Sequence, residues 1–285
     1  MEGTHPIGIF DSGYGGLTVF RAIRDTLPQY DYIYLGDNAR APYGNRSFDT
    51  VHEYTLEAVK WFFDMGCPLV ILACNTASAK ALRTIQQQNL PAMPGENRVL
   101  GVIRPTAEVI GRYSKTGEVG VLGTKGTIAS RSYEIEIARF SPEVKVHPLA
   151  CPMWVPLIEQ NEIDSPATDY YVKKYLDQLM QQSDNIDTVL LACTHYPLLT
   201  AKIEGQLPGG VRVVAQGQIV ADGLRDYLFR HPEMETRLSK NGRMDFYTTD
   251  DAVSFNVSGS LFFNEPLTAS HIDLQDYPRR VDKSD

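Results

Sequence analysis

Four cysteines in 285 residues, none of them in a C-x-x-C pair, are too few and too scattered for a disulfide framework, a zinc knuckle or a redox dithiol. Long hydrophobic runs are missing too. The longest, Pro68 to Cys74, falls far short of the roughly 20 residues that span a bilayer, so no membrane partner is expected. The opening MEGTHPIGIF lacks the basic patch and apolar core of a secretory signal, which leads to the expectation of a cytoplasmic protein with free thiols. Positive charge is in deficit. With 27 basic against 35 acidic side chains and a formal charge of −8, a nucleic-acid partner is not expected. A small anionic substrate stays open, because a few local donors can outweigh the global sign. No lysine has a Schiff-base context and no metal-ligand spacing occurs, so no cofactor, pyridoxal phosphate included, and no metal is expected.

What is present is ordinary globular material, 43% hydrophobic and 22% charged, in a length that suits one large domain or two modest ones. Short apolar runs alternate with helical patterns. Strands are predicted at 7–10, 31–35, 69–73, 99–102, 119–123, 144–148, 189–192 and 211–214. Helices are predicted at 17–27, 50–65, 77–89, 105–113, 128–140, 165–182, 198–206 and 220–229. This rhythm means βαβ units and an α/β fold with mostly parallel sheets flanked by helices. LVILAC and TVLLAC are apolar at consecutive positions, as strands covered on both faces require.

The chain also repeats itself weakly. VILACNTAS (70–78) and VLLACTHYP (189–197) are apolar runs that end in Ala-Cys, continue into a polar, hydroxyl-bearing pair and precede a helix. Two lobes, each presenting one cysteine, account for the echo. The Pro/Gly-rich breaks at 91–97 and 207–210 mark the crossings between them. One lobe would comprise 1–98 with 209–285 and carry Asp11 and Cys74; the other, 99–208, would carry Thr124 and Cys193. The tail from about Asp273 is charged and without period, and is expected to fray.

Cys74 and Cys193 sit where a strand end feeds a helix start, the edge at which open α/β sheets bind ligands. The N–H groups of Asn75-Thr76 and Thr194-His195 would face a carboxylate there and would lower a thiol pKa. A single buried cysteine is ordinarily a small apolar residue, and Cys67 and Cys151 are read that way. In IFDSGYGGL a strand enters Asp11-Ser12 and three glycines turn the chain into a helix, allowing positive φ or close backbone approach. The pattern is G-x-G-G, neither G-x-G-x-x-G nor a P-loop, and a tight turn capped by Ser12 is the alternative.

The loop GDNARAPYGNRS, with Pro42, Tyr43 and Gly44, has the length of a lid or a substrate-contacting segment. Thr124 and Thr127, in GTKGT, either cap a helix or hold a ligand carboxylate. Arg40 and Lys125 are the cations nearest these loops. His195, two residues beyond a thiol, is placed to tune its proton affinity. Glu159, on an apolar stretch, either caps a helix or stands at the cleft mouth.

Together, DSGYGGL, PYG, ACNTAS, GTKGT and ACTHYPLL, in that order, resemble the cofactor-independent, two-cysteine aspartate/glutamate racemases, and among them the glutamate-specific kind. The resemblance reaches to about residue 230, with two departures: Tyr14 replaces a small aliphatic residue, and Ala215-Gln216-Gly217 replaces an acidic-serine-glycine turn. It implies two pseudosymmetric lobes with the substrate between them. Cys74 would act on D-glutamate and Cys193 on L-glutamate, with Asp11 assisting the first and His195 the second. Ser12, Tyr43, Gly44, Asn75, Thr76, Thr124, Thr127 and Thr194 would hold the substrate's carboxylates and ammonium. It implies further a role in supplying D-glutamate to peptidoglycan, and homodimers are frequent in the family. Aspartate racemisation by the same pair is the nearest alternative. A nucleotide-binding oxidoreductase built on the glycine turn, or a cysteine hydrolase built on Cys193 and His195, are alternatives of another class.

Overall fold

A computed structural model of the chain describes residues 5–274. Among the described residues ten strands form two sheets. The first has the order β10-β9-β2-β1-β3-β4, from β1 (Ile7–Asp11), β2 (Tyr32–Gly36), β3 (Leu69–Leu72), β4 (Arg98–Gly101), β9 (Met244–Thr248) and β10 (Ala269–His271). The second has the order β6-β5-β7-β8, from β5 (Glu118–Gly123), β6 (Lys145–Ala150), β7 (Thr188–Ala192) and β8 (Arg212–Val214). All the strand pairs are parallel, in accord with the α/β reading. In β1, β2, β3 and β7 every residue is buried, which is why their sequences are apolar without alternation.

Two strands lie across the expected lobe boundaries. β4 pairs with β3 in the first sheet, although 99–208 was assigned to the second lobe. β8 pairs with β7 in the second sheet, although 209–285 was assigned to the first. The Pro/Gly-rich breaks precede each of these strands, whereas the chain changes sheet only after them. Helix Gly217–Arg230 packs against both Gly16–Thr26 and Ile103–Val109, and so braces the two crossings.

β9, helix Ala252–Phe263 and β10 were not anticipated. β9 mixes polar with apolar residues at the flank of the sheet, and β10 is only three residues long with two of them exposed. Their cohesion is tertiary. Phe263 stacks on Phe20 at 5.5 Å, and Phe246 tilts against Phe20 at 5.8 Å. Burying an aromatic of that size is worth about 1.5–3 kcal/mol. The helix expected over 128–140 is broken at Arg131, whose φ of 57° ends Lys125–Ala129 and starts Ser132–Phe140 afresh. The helix expected over 77–89 begins at Asn75 and is interrupted at Ala81. Among the described residues no helix is long and apolar enough to cross a membrane. All but the first two residues of the charged tail, Asp273 and Leu274, lie outside the described residues.

Candidate active site

The carboxyl ends of β1, β3, β5 and β7 converge on one interface between the lobes. Asp11 is the last residue of β1 and is fully buried; its Oδ2 accepts from the Gly13 N–H at 3.0 Å, and the Gly16 N–H also supports the carboxylate. Burial pushes the Asp11 carboxyl up, against the opposing pull of the His195 charge.

Cys74 follows β3 and caps helix Asn75–Lys80, its Sγ accepting from the Ala77 N–H at 3.4 Å and lying 3.5 Å from Ser12 Oγ. Burial, reinforced by the Asp11 carboxylate, pushes its thiol up to about 12. Charge on Cys193 also raises it, so the two sulfurs are electrostatically in reach of each other although they come from different sheets. Cys193 follows β7 and is 6% exposed, against 5% for Cys74. Its Sγ lies 4.0 Å from His195 Nδ1, and the other ring nitrogen, Nε2, is 2.9 Å from Glu159 Oε1. Burial pulls the imidazolium down, but the Cys193 hydrogen bond and Glu159 outweigh it and hold His195 up to about 10. Glu159, the last residue of helix Trp154–Glu159, therefore belongs to the cleft rather than to a helix cap.

Each lobe thus presents a buried thiol with its own ionisable attendants: Asp11 beside Cys74, and the His195–Glu159 pair beside Cys193. The sequence echo has become a near-mirror arrangement. Cys67 and Cys151 are buried, and burial alone raises Cys67.

The glycine turn serves contact rather than backbone freedom. Gly13, Gly15 and Gly16 are not among the residues with positive φ. A Cβ on Gly15 would lie 2.3 Å from both His195 Nδ1 and Thr194 Oγ1, and one on Gly16 would lie 2.4 Å from Asp11 Cβ. Thr18 Oγ1 adds a bond across the lobes to the Thr194 carbonyl at 2.9 Å. The facing lobe thus occupies the turn, which leaves the dinucleotide reading without room for a pyrophosphate.

A second contact closes the opposite side. Thr76 Oγ1 is 3.0 Å from Thr124 Oγ1 and 3.4 Å from Thr127 Oγ1, and the latter two are 3.1 Å apart. Thr124 also caps its helix by accepting from the Thr127 N–H, so capping and clustering coexist. Gly44 packs on Thr124, where an added Cβ would lie 3.0 Å from the threonine Cβ. Pro42 is exposed and leads into the turn Tyr43–Asn45. The buried Tyr43 hydroxyl is spent on Asp37, so the turn offers its backbone rather than its phenol. Arg40 is committed to Asp37 and Glu57, and Lys125 is exposed; neither enters the cleft. Among the described residues no three His, Cys, Asp or Glu side chains group so as to hold a metal ion.

Two members of the interface were not recognised as candidates. Gln216 and Tyr133, both buried, bond to Asn75 and to each other. Tyr133 lies in the first turn of helix Ser132–Phe140 with no motif around it. The signal at Gln216 was its position in the turn that departs from the racemase pattern.

The site thus places one buried thiol from each of two α/β lobes beside its own ionisable side chains. Residues 16–223 match the Asp/Glu/Hydantoin racemase family, and the chain belongs to that family. It is 36% identical to a glutamate racemase of Streptococcus thermophilus, over 94% of this chain and 96% of that one. It is 39% identical to one of Geobacter metallireducens, over 92% and 93%. Among solved structures it superposes on glutamate racemase RacE1 of Bacillus anthracis with a TM-score of 0.86 and 33% identity, covering 95% of this chain and 98% of that one. It also matches the Francisella tularensis glutamate racemase in complex with D-glutamate, with a TM-score of 0.83 and 30% identity over 97% and 100%.

Proposed function

We propose that the protein interconverts L- and D-glutamate by passing the α-proton between Cys74 and Cys193. The observation that carries this reading is a pair of buried thiols, one from each lobe, each with its own ionisable partner. Inverting a stereocentre by proton transfer needs a base on one face and an acid on the other, and two lobes closing on a substrate supply them. In the L-to-D direction the Cys193 thiolate takes the α-hydrogen and the Cys74 thiol donates its own to the opposite face; the reverse direction exchanges the roles. After each turnover the charge has moved from one sulfur to the other.

The barrier is large, because an α-hydrogen is far less acidic than a thiol of ordinary pKa about 8.5. Donors on the α-carboxylate must therefore stabilise the developing carbanion, each worth about 2.7–4 kcal/mol in a water-excluded site. Ser12, Asn75, Thr76, Thr124, Thr127, Thr194 and the backbone of the Pro42-Tyr43-Gly44 turn are the groups at hand. Asp11 and His195 assist proton movement at Cys74 and Cys193, with Glu159 supporting His195. Glutamate rather than aspartate is favoured by relatives that are 36–39% identical over most of both chains. The setting that follows is a cytoplasmic enzyme supplying D-glutamate to peptidoglycan.

Turnover of either enantiomer in deuterated water, with no cofactor added, tests this. Solvent deuterium should appear at Cα of the product enantiomer. Inversion without exchange, or activity on aspartate alone, would sink the proposal.

The His195–Glu159 pair gives a pH signature. His195 is held above its ordinary value near 6.5, so its contribution to stability and to Cys193 is fully present below about 6.5 and is lost as pH rises through about 10. Glu159→Gln removes one support, and the alkaline limb of kcat/KM for L-glutamate should move down by about one pH unit. A limb that stays in place would separate Glu159 from the proton inventory.

A further inference from the structure

Behind Cys74 lies a closed ring of three hydrogen bonds. Asn75 Nδ2 donates to Gln216 Oε1 at 2.8 Å, Gln216 Nε2 donates to the Tyr133 hydroxyl at 2.5 Å, and that hydroxyl donates to Asn75 Oδ1 at 2.5 Å. All three side chains are buried, so none can turn to water for a partner. They come from three places: the helix after β3, the helix Ser132–Phe140, and the turn after β8.

Such a ring could in principle run in either direction, with both amides flipped. Two further contacts remove the choice. Gln216 Nε2 also faces Thr106 Oγ1 at 2.9 Å and the Val102 carbonyl at 3.4 Å. The Thr106 hydroxyl spends its one hydrogen on that same carbonyl at 2.9 Å, so it can only accept from Gln216. A flipped Gln216 would set its oxygen against two acceptors. The nitrogen therefore points there, the oxygen faces Asn75, and Asn75 must turn its Nδ2 inward. Burial raises the Tyr133 phenol, which keeps it protonated and able to complete the circle.

Val102 directly follows β4, where the chain leaves the first sheet, and Gln216 lies two residues after β8, where it leaves the second. One side chain thus joins both crossings between the lobes and also fixes the amide next to a reactive thiol. The geometry points to Gln216 and Tyr133 as positioning residues for racemisation: through Asn75 they present the second Nδ2 hydrogen, and not Oδ1, to the substrate, and they couple that presentation to the crossings between the lobes. This rests on the reading of the cleft given above. An Asn75 released from the ring would turn its carbonyl oxygen to a carboxylate about nine-tenths of the time, and binding would suffer before chemistry.

The test is steady-state kinetics with both enantiomers, and thermal melting in parallel, on wild type, Gln216→Met, Tyr133→Phe and the double variant. Gln216→Met should raise KM for both enantiomers about tenfold while kcat stays within about threefold, and Tyr133→Phe should raise KM about threefold. The double variant should be no worse than Gln216→Met alone, because Tyr133 acts only through the ring. A merely structural role would lower Tm and leave KM in place. An unmoved KM in Gln216→Met, or a double variant equal to the product of the two singles, overturns the inference. Should Gln216→Met not fold, Tyr133→Phe, which removes one oxygen, decides: raised KM at near-native Tm supports the ring and unchanged KM refutes it. A wild type that does not racemise glutamate would remove the reading of the cleft and this inference with it; an active wild type with unmoved variants overturns the ring alone.

Discussion

Replacing either thiol, by Cys74→Ser or Cys193→Ser, should cut racemisation in both directions by about 10²–10⁴-fold, the range expected when a positioned acid–base group is lost. Both directions fail because each needs both sulfurs, one to take the proton and one to give it. The residual chemistry should be one-sided. Cys74→Ser keeps the base that faces L-glutamate, so it should still wash deuterium from solvent into L-glutamate with retention, and leave D-glutamate unlabelled. Cys193→Ser should do the opposite. Each folded variant therefore reports which face its remaining sulfur occupies, and proton NMR of the Cα position in deuterated buffer reads it directly. Exchange of both enantiomers by one variant would mean that a single group reaches both faces, and undiminished racemisation in Cys74→Ser would remove Cys74 from the reaction.

Gly15→Ala should be nearly as damaging through one methyl group. Its carbon would sit 2.3 Å from His195 Nδ1 and Thr194 Oγ1, and neither neighbour can yield easily. His195 is tethered to Glu159 at 2.9 Å, and the Thr194 backbone is tethered by Thr18 at 2.9 Å. The lobes must part instead. Overpacking of this kind costs about 1–3 kcal/mol of stability, and a displacement of about 1 Å at the site can cost about 10²-fold in kcat/KM. Gly205→Ala is the matched control. It lies in helix Thr200–Gln206, nothing stands within 4 Å of its added methyl, and it should gain about 0.5–1 kcal/mol with activity unchanged. Equal Tm and kcat/KM in Gly15→Ala and wild type would show that the lobes tolerate a looser fit than the contacts imply.

The fold was legible where one strand or helix carried its own signal. β1, β3, β5 and β7 are apolar runs closed by Asp11, Cys74, Gly123 and Cys193, and each was placed to within a residue or two. Beyond residue 230 the signal failed. β9 and helix Ala252–Phe263 draw their stability from aromatic contacts with Phe20 and Tyr34, residues more than two hundred positions away. The lobe boundaries were misplaced because proline and glycine mark loops, whereas the sheet a strand joins is set by its hydrogen-bonding neighbour. The glycine turn shows the same division. Its need for glycine could be read from the chain, but the cause, the imidazole of the opposite lobe, could not.

By itself, then, the sequence determined the alternation of strands and helices, the two cysteines at strand ends and the identity of most groups around them, because hydrophobic period and local motif are properties of neighbours in the chain. Only the tertiary structure decided that Glu159 backs His195, that Arg40 and the Tyr43 hydroxyl are spent elsewhere, and that Gln216 closes a ring with Tyr133 and Asn75. Those outcomes depend on groups brought within about 3 Å by packing, and hydrogen-bond direction and charge stabilisation fall away steeply beyond that distance.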